Sequence, residues 1–311
     1  MLIDLTSNEN PYSRDIDINI KEINRYTSRK EMESLISKLA DYSGFNKESI
    51  IIDYGTNRLI ERVILKYHKN RDLYILNPNS YGFIGLAKDV GMKVKRLQLV
   101  PPDFTIDWEK QDINNSIIVI DSPNNPTGQF MINEDQLKKL LKNNIVIIDE
   151  AGYEYSSFTF GSLIEDNDNL CIIRTLDKAF GLAGLKIGYM TFGNGLSKCF
   201  NNNIELNKPT LKALEIALSD TEYLKKTTDK TINIKNQLIN NLRDLEIIVY
   251  DSYANYLLIN TEIADFSLKL RKRGIMIEDL SVSWIKGYYR ITIGTKNEID
   301  SLIAAIKEIK K

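Results

Sequence analysis

Short apolar runs that alternate with segments of helical periodicity are the feature that most constrains how this chain can fold. The runs are LYIL (73–76), VKRLQLV (94–100), IIVID (117–121), IVIID (145–149) and CIIRT (171–175). Strands rich in Ile and Val without alternation are typical of a parallel sheet covered by helices on both faces. Apolar residues recur at helical spacing in 57–67, before the first of these runs. The pattern therefore predicts an α/β unit with a mostly parallel sheet.

The order of predicted elements changes after about residue 210. The later elements are a long helix (222–245), four strands (247–250, 255–260, 275–277 and 288–293) and an amphipathic helix (298–310). Strands mixed with helices in this order favour a smaller α+β domain. We therefore expect a large domain over 29–210, and a small domain formed by 211–311 together with an N-terminal arm, 1–28.

The charge balance argues against nucleic acid or a membrane surface as a partner. Lys and Arg total 41 against 42 Asp and Glu, so the net charge is −1, which gives no global attraction to polyanions. The opening residues, MLIDLTSNENP, lack the apolar core of a signal peptide, and the apolar stretches are too short to cross a bilayer. We therefore expect a cytoplasmic protein.

The cysteine and histidine content narrows the possible chemistry. Cys171 and Cys199 form no CxxC motif, so we expect reduced thiols. The single histidine, His68, lies in a Lys-rich segment that is typical of a solvated helix end. A Ser-His-Asp triad or a His-based metal site would need that residue. We therefore predict neither a triad nor a metal site.

Four motifs lie at the ends of predicted strands and together suggest a cofactor site. They are SPNNPTG (122–128), IVIIDEA (145–151), TLDKAFGLAGLKIGY (175–189) and YYRITIGT (288–295). Chemistry on pyridoxal 5′-phosphate (PLP) needs a lysine amine, a carboxylate beside the pyridine nitrogen, a donor to the ring oxygen and a cradle for the phosphate. An arginine fork suits a substrate carboxylate. Each motif alone has an ordinary structural interpretation, such as a turn, a helix cap or a solvated charge, but their order favours the joint hypothesis.

These motifs resemble those of the fold-type I PLP-dependent enzymes of aminotransferase class I and II, most closely the histidinol-phosphate aminotransferase subgroup. The resemblance extends through SNENPY (7–12), NRY (24–26), NSYGF (79–83), ANYLL (254–258) and RGI (273–275). It implies the PLP-dependent transferase fold of type I, with a large domain and a smaller α+β domain. It also implies PLP as cofactor, a homodimer and a role in amino-acid biosynthesis. The implied reaction moves an amino group from an amino acid or amine, histidinol phosphate in this subgroup, to a 2-oxo acid such as 2-oxoglutarate.

The resemblance assigns roles to single residues. Lys178 would hold the cofactor as a Schiff base and then move protons, Asp149 would pair with the pyridinium nitrogen, and Asn125 would bind the ring oxygen. Tyr81 would stack on the ring. The implied contacts to the cofactor phosphate are Gly55, Thr56, Asn57, Thr175, Lys186 and, from the other subunit, Tyr26. The implied substrate contacts are Arg290, Asn10 and Glu278.

The sequence departs from the family pattern at four positions. Gly152 stands where a tyrosine is usual, so the second donor to the ring oxygen is either missing or supplied by Tyr153. Asp177 replaces a serine before the lysine, and Lys186 replaces an arginine, which keeps the charge but loses the fork. Glu278 replaces an arginine that grips the substrate phosphate. A carboxylate there would repel a phosphate and attract an amine or imidazolium. The alternative is that Glu278 faces solvent and that Arg290, Lys286 or another cation suffices to bind the anion.

Other functions fit parts of the same pattern. A PLP-dependent decarboxylase that resembles threonine-phosphate decarboxylase would share the fold and the lysine. A non-catalytic protein on this fold is a further hypothesis, suggested by Gly152 and Asp177. A nucleotide-binding oxidoreductase is disfavoured because the chain has neither GxGxxG after its first strand nor a GK[ST] loop.

Overall fold

A computed structural model describes residues 2–16, 23–78, 82–197, 200, 204–281 and 285–311. The strands in these ranges are Ile3–Leu5 (β1), Ile51–Asp53 (β2), Asp72–Asn77 (β3), Val94–Gln98 (β4), Ser116–Asp121 (β5), Ile145–Asp149 (β6), Leu170–Thr175 (β7), Gly188–Phe192 (β8), Ile248–Val249 (β9), Tyr256–Asn260 (β10), Ile275–Asp279 (β11) and Tyr288–Thr292 (β12). The α-helices are Arg29–Ser43 (α1), Thr56–Tyr67 (α2), Ile84–Asp89 (α3), Glu134–Leu141 (α4), Tyr153–Ser156 (α5), Asn194–Ser197 (α6), Lys208–Ser219 (α7), Thr221–Asp244 (α8), Phe266–Arg271 (α9) and Lys296–Ile309 (α10).

The predicted parallel sheet is confirmed, with seven strands in the order β2-β8-β7-β6-β5-β3-β4. Strands β4, β3, β5, β6 and β7 run parallel, and β8 is antiparallel to both β7 and β2. Successive side chains of its central strands point to opposite faces. Ile117 and Ile147 pack with residues of α2 on one face, while Ile118 and Ile148 join a second core on the other. Burial on both faces explains the unbroken Ile and Val runs.

The smaller sheet has five strands in the order β1-β11-β12-β10-β9. Its only parallel pair among the described strands is β1 with β11; the others are antiparallel. Ile277 and Ile291 face a core formed with α8, α9 and α10. On the opposite face, Leu258 and Tyr288 pack into the core of the large sheet. This second face of the small sheet therefore closes over the large one.

Local capping explains where several helices begin. Ser28 and Glu31 form a reciprocal capping box at the start of α1, and Thr295 and Glu298 form another at α10. The helix α7 crosses the expected boundary at 210/211 and packs against α1 through Leu211 and Leu214, so the exact domain limits stay a prediction. Within the described ranges, none of the helices combines the length and apolar character that crossing a bilayer would need.

Candidate active site

Two aspartates end neighbouring strands at one edge of the large sheet. Asp121 and Asp149 are register partners of β5 and β6, and both side chains are buried. Burial raises the pKa of Asp149 to about 7; the positive charge of Lys178 acts in the opposite direction, and Asp121 raises it further. A buried carboxyl group with this environment favours a cationic partner.

Lys178 lies in the turn that follows β7. The turn is closed by a hydrogen bond from the Gly181 N–H to the Lys178 carbonyl (2.9 Å), and the lysine side chain is partly buried. Its charge acts directly on the pKa of Asp149, so the two groups lie near each other. The amine and the carboxylate that the sequence predicts are thus brought together at one edge of the sheet.

A cradle for an anion lies at the start of α2. Gly55 precedes the helix with a φ of 85°, a left-handed conformation that favours glycine. The stem of Lys186 covers it, because a Cβ on Gly55 would be 3.6 Å from Lys186 Cγ. A Cβ on Gly188 would be 3.2 Å from the Thr56 nitrogen, so glycine lets β8 approach the helix start closely. The first N–H groups of α2 and the Lys186 side chain therefore share one corner, as phosphate binding requires.

The predicted aromatic cover, Tyr81, lies outside the described residues, as does Cys199. Next to Tyr81 in sequence, Gly82 is close to α2, because a Cβ on Gly82 would be 3.1 Å from Asn57 Nδ2. Asn57 therefore has its amide group where the chain after β3 meets the start of α2. The stacking role of Tyr81 stays a prediction.

Thr175 and Asp177 bind each other in front of the lysine. The Thr175 hydroxyl donates to Asp177 Oδ1 and also lies 3.2 Å from the carbonyl oxygen of Ile187. The Asp177 N–H donates back to the Thr175 hydroxyl oxygen (3.3 Å). The hydroxyl that the sequence assigns to the cofactor phosphate is thus engaged by a carboxylate. An anion at this corner would meet the Asp177 charge unless the carboxyl group turns away or takes up a proton.

Arg290 connects the small sheet to the PNNPTG segment. Its Nη1 donates to Asn125 Oδ1 (2.7 Å), and its Nη2 donates to the carbonyl oxygen of Thr6. Its Nε is buried and has no hydrogen-bond partner in the part of the chain that the structure describes. The arginine assigned to substrate and the asparagine assigned to the cofactor ring are therefore in direct contact.

Glu278 lies directly opposite Arg290. The two are register partners in the antiparallel pair β11–β12. Ile277 and Ile291, their neighbours in sequence, face the small-domain core, so the side chains of Glu278 and Arg290 share the other face. The structure thus places Glu278 beside the predicted anion-binding arginine.

The 122–128 segment is held from both sides. On the large-domain side, Asp121 accepts from the Asn125 N–H (2.8 Å) and from Asn124 Nδ2 (3.0 Å). On the other, the Tyr256 hydroxyl donates to the Asn124 carbonyl (2.8 Å), and the Tyr253 N–H donates to the Gly128 carbonyl (2.7 Å). Asn125 is therefore fixed by strands of both sheets.

The N-terminal arm crosses the lysine turn at Asn10. Its Nδ2 donates to the Ala179 carbonyl (2.9 Å) and to the Thr227 hydroxyl (3.3 Å), while its Oδ1 accepts from the Tyr12 N–H (3.0 Å). Asn10 therefore joins the arm to the residue after Lys178 and to α8. Its predicted contact with substrate stays a prediction.

Tyr153 packs away from the two aspartates. Its ring lies over the guanidinium of Arg174 at 3.4 Å, and Arg174 donates from Nε to Glu150 (3.0 Å). Glu150 follows Asp149 in the chain, and side chains alternate along a strand, so this cluster occupies the opposite face of the sheet. The role of Tyr153 as a donor to the cofactor therefore stays a prediction. At Gly152, a Cβ would be 3.3 Å from Pro123 Cδ.

Several residues of the site were not assigned a role from the sequence. Asp121 accepts from the Asn125 backbone N–H. The sequence contained a signal for it, because the strand motifs IIVID and IVIID both end in an aspartate. Glu154 is a partly buried acid; burial raises its pKa to about 7, the Lys178 charge lowers it in part, and it accepts from Tyr42 (3.0 Å). Tyr256 lies within ANYLL (254–258), but its contact could not be predicted because it joins distant parts of the chain.

The residues at this edge fit PLP. The buried carboxyl of Asp149 suits a protonated pyridine nitrogen. The Gly55 corner, with Lys186 over it, suits a phosphate. Lys178 supplies the amine from the turn after β7, near Asp149, and the charge of Asp177 opposes the fit.

Comparisons with known proteins agree with this geometry. The family model described as aminotransferase class I and II matches residues 1–306. The chain is 33% identical to a histidinol-phosphate aminotransferase of Pyrococcus furiosus, over 98% of this chain and 91% of the relative. It is 31% identical to one from Sulfurisphaera tokodaii, over 99% and 90%. A crystal structure of the histidinol-phosphate aminotransferase from Clostridium acetobutylicum has the same fold, with a TM-score of 0.85 at 23% identity over 99% of both chains. The chain belongs to the class I and II aminotransferases, a family of PLP-dependent transaminases.

Proposed function

We propose that this aminotransferase moves an amino group to a 2-oxo acid, such as 2-oxoglutarate, from a donor whose anionic end binds Arg290. The hydrogen bond between Arg290 Nη1 and Asn125 Oδ1 (2.7 Å) carries this proposal. It sets the anion-binding group at a fixed place beside the residue assigned to the cofactor ring. Histidinol phosphate is the first donor to test, because the relatives at about 30% identity carry that name.

The position of each side chain supports the role assigned to it. When bound, PLP supplies the electron sink of the reaction. Asp149 would keep the pyridine nitrogen protonated, because a buried carboxylate is stabilised by a cation. The amine of Lys178 would hold the cofactor. Once the donor amine has taken its place, it would act as the general acid and base that moves a proton in the reaction. Arg290 would orient the donor so that its amine meets the lysine turn.

A spectrum and a product assay test this proposal together. The protein loaded with PLP is treated with borohydride, and Lys178→Ala serves as the control. We expect a cofactor fixed to the chain in the wild type only. Glutamate formed from 2-oxoglutarate supports transamination, and carbon dioxide released from an amino-acid donor supports the decarboxylase alternative. Failure to bind PLP, with no product of either kind, would favour a non-catalytic protein.

A homodimer with shared sites and a cytoplasmic location complete the proposal. Tyr26 is 91% exposed, and with Ile23 and Tyr54 it borders a cleft of about 350 Å³. Exposed apolar side chains around a cleft favour an interface with a second chain. The free, buried thiol of Cys171 suits a reducing compartment.

Mixed dimers test the shared site. If Tyr26 completes the site of the other subunit, mixing inactive Lys178→Ala with weakened Tyr26→Ala restores one intact site in each mixed dimer. We expect activity above that of either variant alone, at most about half of the wild type. Sedimentation velocity measures the oligomeric state of each sample. Monomeric protein, or no recovery on mixing, would contradict the proposal.

A further inference from the structure

Glu278 and Arg290 face each other in the antiparallel pair β11–β12. Charged residues of opposite sign that face each other across antiparallel strands commonly attract one another, with Cα atoms about 4.5–5.5 Å apart. Here the guanidinium donates instead to the neutral oxygens of Asn125 and Thr6. Among the residues that the structure describes, the Glu278 side chain takes part in no hydrogen bond and no ion pair, and it acts on Arg290 through its charge. Its carboxylate oxygens are therefore available to a donor.

The surroundings of Glu278 set where that charge can act. Its side chain is partly buried, on the face of the small sheet that closes over the large one. Leu5 pairs with Ile277, so Thr6, the residue after β1, lies beside Glu278. Arg290 reaches Thr6 across β11, the strand that carries Glu278. The carboxylate and the guanidinium therefore lie side by side on this face of the small sheet.

We propose that Glu278 makes the site select an amino donor with a carboxylate at one end and a positively charged group at the other, as in a basic amino acid. This inference rests on the proposed function, because Arg290 must hold the carboxylate. Glu278 then attracts the cation, and it repels the second negative charge of a phosphate dianion. Donors without the cation lose this contact and bind less tightly.

The charges support a measurable preference. Two unit charges about 5 Å apart in a partly buried site interact strongly enough for at least about a tenfold change in affinity. The attraction to a donor cation and the repulsion of a phosphate both come from one carboxylate. Removing its charge therefore changes the two preferences in opposite directions.

Initial rates of the PLP-loaded enzyme with 2-oxoglutarate test the inference. The donors are arginine, the neutral norleucine and histidinol phosphate. The variant is Glu278→Gln, and Glu262→Gln, an exposed acid in the same domain, is the matched control. We expect Glu278→Gln to lower kcat/KM for arginine about tenfold, mainly through KM, and to raise it for histidinol phosphate by a similar factor. Norleucine is expected to change little.

A binding measurement separates this inference from the proposed reaction. Calorimetry with 5-guanidinopentanoate and hexanoate, which lack the reacting amine, reports the charge preference without turnover. We expect the guanidino compound to bind about tenfold more tightly, and Glu278→Gln but not Glu262→Gln to abolish the difference. Binding preference without amino transfer would overturn the proposed function alone. Amino transfer without a preference, or equal effects of the two variants, would overturn the role of Glu278.

Discussion

Asp121 and Asp149 stand side by side as register partners at the ends of two parallel strands, yet they serve different neighbours. Asp121 accepts from the Asn125 N–H and the Asn124 side-chain amide, so its carboxylate binds groups of the protein itself. Asp149 accepts from one backbone N–H, that of Ala151, and its pKa is raised to about 7 by burial. Asp121 therefore stabilises the 122–128 segment, and Asp149 is suited to bind a cation.

Asp149 makes the stability of the apoprotein depend on pH. Its folded pKa of about 7 lies above the ordinary value of 3.8, so the folded chain binds the extra proton between these values. The resulting stability is present below pH 4 and is lost as the pH rises through 7. The difference corresponds to at most about 4 kcal/mol. Urea unfolding of the apoprotein at pH 5 and pH 8 should show a larger loss in the wild type than in Asp149→Asn, which keeps the contribution of Glu154, whose pKa burial also raises to about 7.

The control for this measurement is Asp89→Asn, which changes an exposed aspartate. It should follow the wild-type pH dependence. A wild-type free energy of unfolding with the same pH dependence as that of Asp149→Asn would contradict the assignment.

Asp177 should weaken the binding of PLP. Its carboxylate holds the Thr175 hydroxyl, and it adds a negative charge near the phosphate corner. Asp177→Ser removes the charge and frees the hydroxyl, so we expect the Kd for PLP to fall about tenfold. A titration of apoprotein followed by absorbance measures it. Asp177→Asn separates the two causes, because it removes only the charge; an unchanged Kd in both variants would show that the carboxylate turns away from the phosphate.

Tyr256 should stabilise the contact between the two sheets. Its buried hydroxyl donates to the Asn124 carbonyl (2.8 Å), and Tyr256→Phe leaves that oxygen without this donor. We expect the free energy of unfolding to fall by about 1–3 kcal/mol and the donor KM to rise, because Asn125 is adjacent. Tyr253→Phe is the control, since Tyr253 is 50% exposed and contacts the loop through its backbone. Equal effects of the two changes would contradict the prediction.

Lys235 should give the protein a second pH dependence, at alkaline pH. It is buried and donates to the carbonyl oxygens of Ser252 (2.6 Å) and Ala254 (2.8 Å), and burial lowers its pKa to about 8. Because the unfolded value is 10.5, the folded chain loses this proton first, and stability from this group rises between pH 8 and 10.5. The rise is at most about 3 kcal/mol.

Chemical denaturation at pH 8 and pH 10 tests this expectation. Lys235→Met should remove the rise, although it also lowers stability at both pH values because two carbonyl oxygens lose their donor. Lys226→Met, at an exposed position of the same helix, should keep it. An equal slope in all three proteins would show that Lys235 titrates as in the unfolded chain.

The sequence was sufficient to predict where Lys178, Asp149 and Asn125 come together, because parallel strands end at the same edge of a sheet. It was insufficient for contacts that depend on the pairing of the small sheet. The bond from Arg290 to Asn125 joins residues 165 positions apart, and Glu278 faces Arg290 only because of the register of β11 and β12.

The short strands β1 and β2 were also not predicted from the sequence. β1 and β2 have three residues each, too few for a periodic pattern. β8 follows the lysine turn and runs antiparallel, whereas buried apolar runs separated by helices predict parallel neighbours. The Thr175–Asp177 contact is local, but side-chain hydrogen bonds within a turn depend on rotamers that residue types do not specify.

The parallel pairing of β1 with β11 has a consequence for the order in which the protein is made. Ile3 pairs with Ile275, so β1 finds its neighbour only after β11 has been translated. All seven strands of the large sheet leave the ribosome before that, and domains generally fold as units during translation. The arm, with Asn10 on it, therefore reaches the lysine turn as a late step of maturation, and binding of PLP to nascent chains should appear only when β11 has emerged.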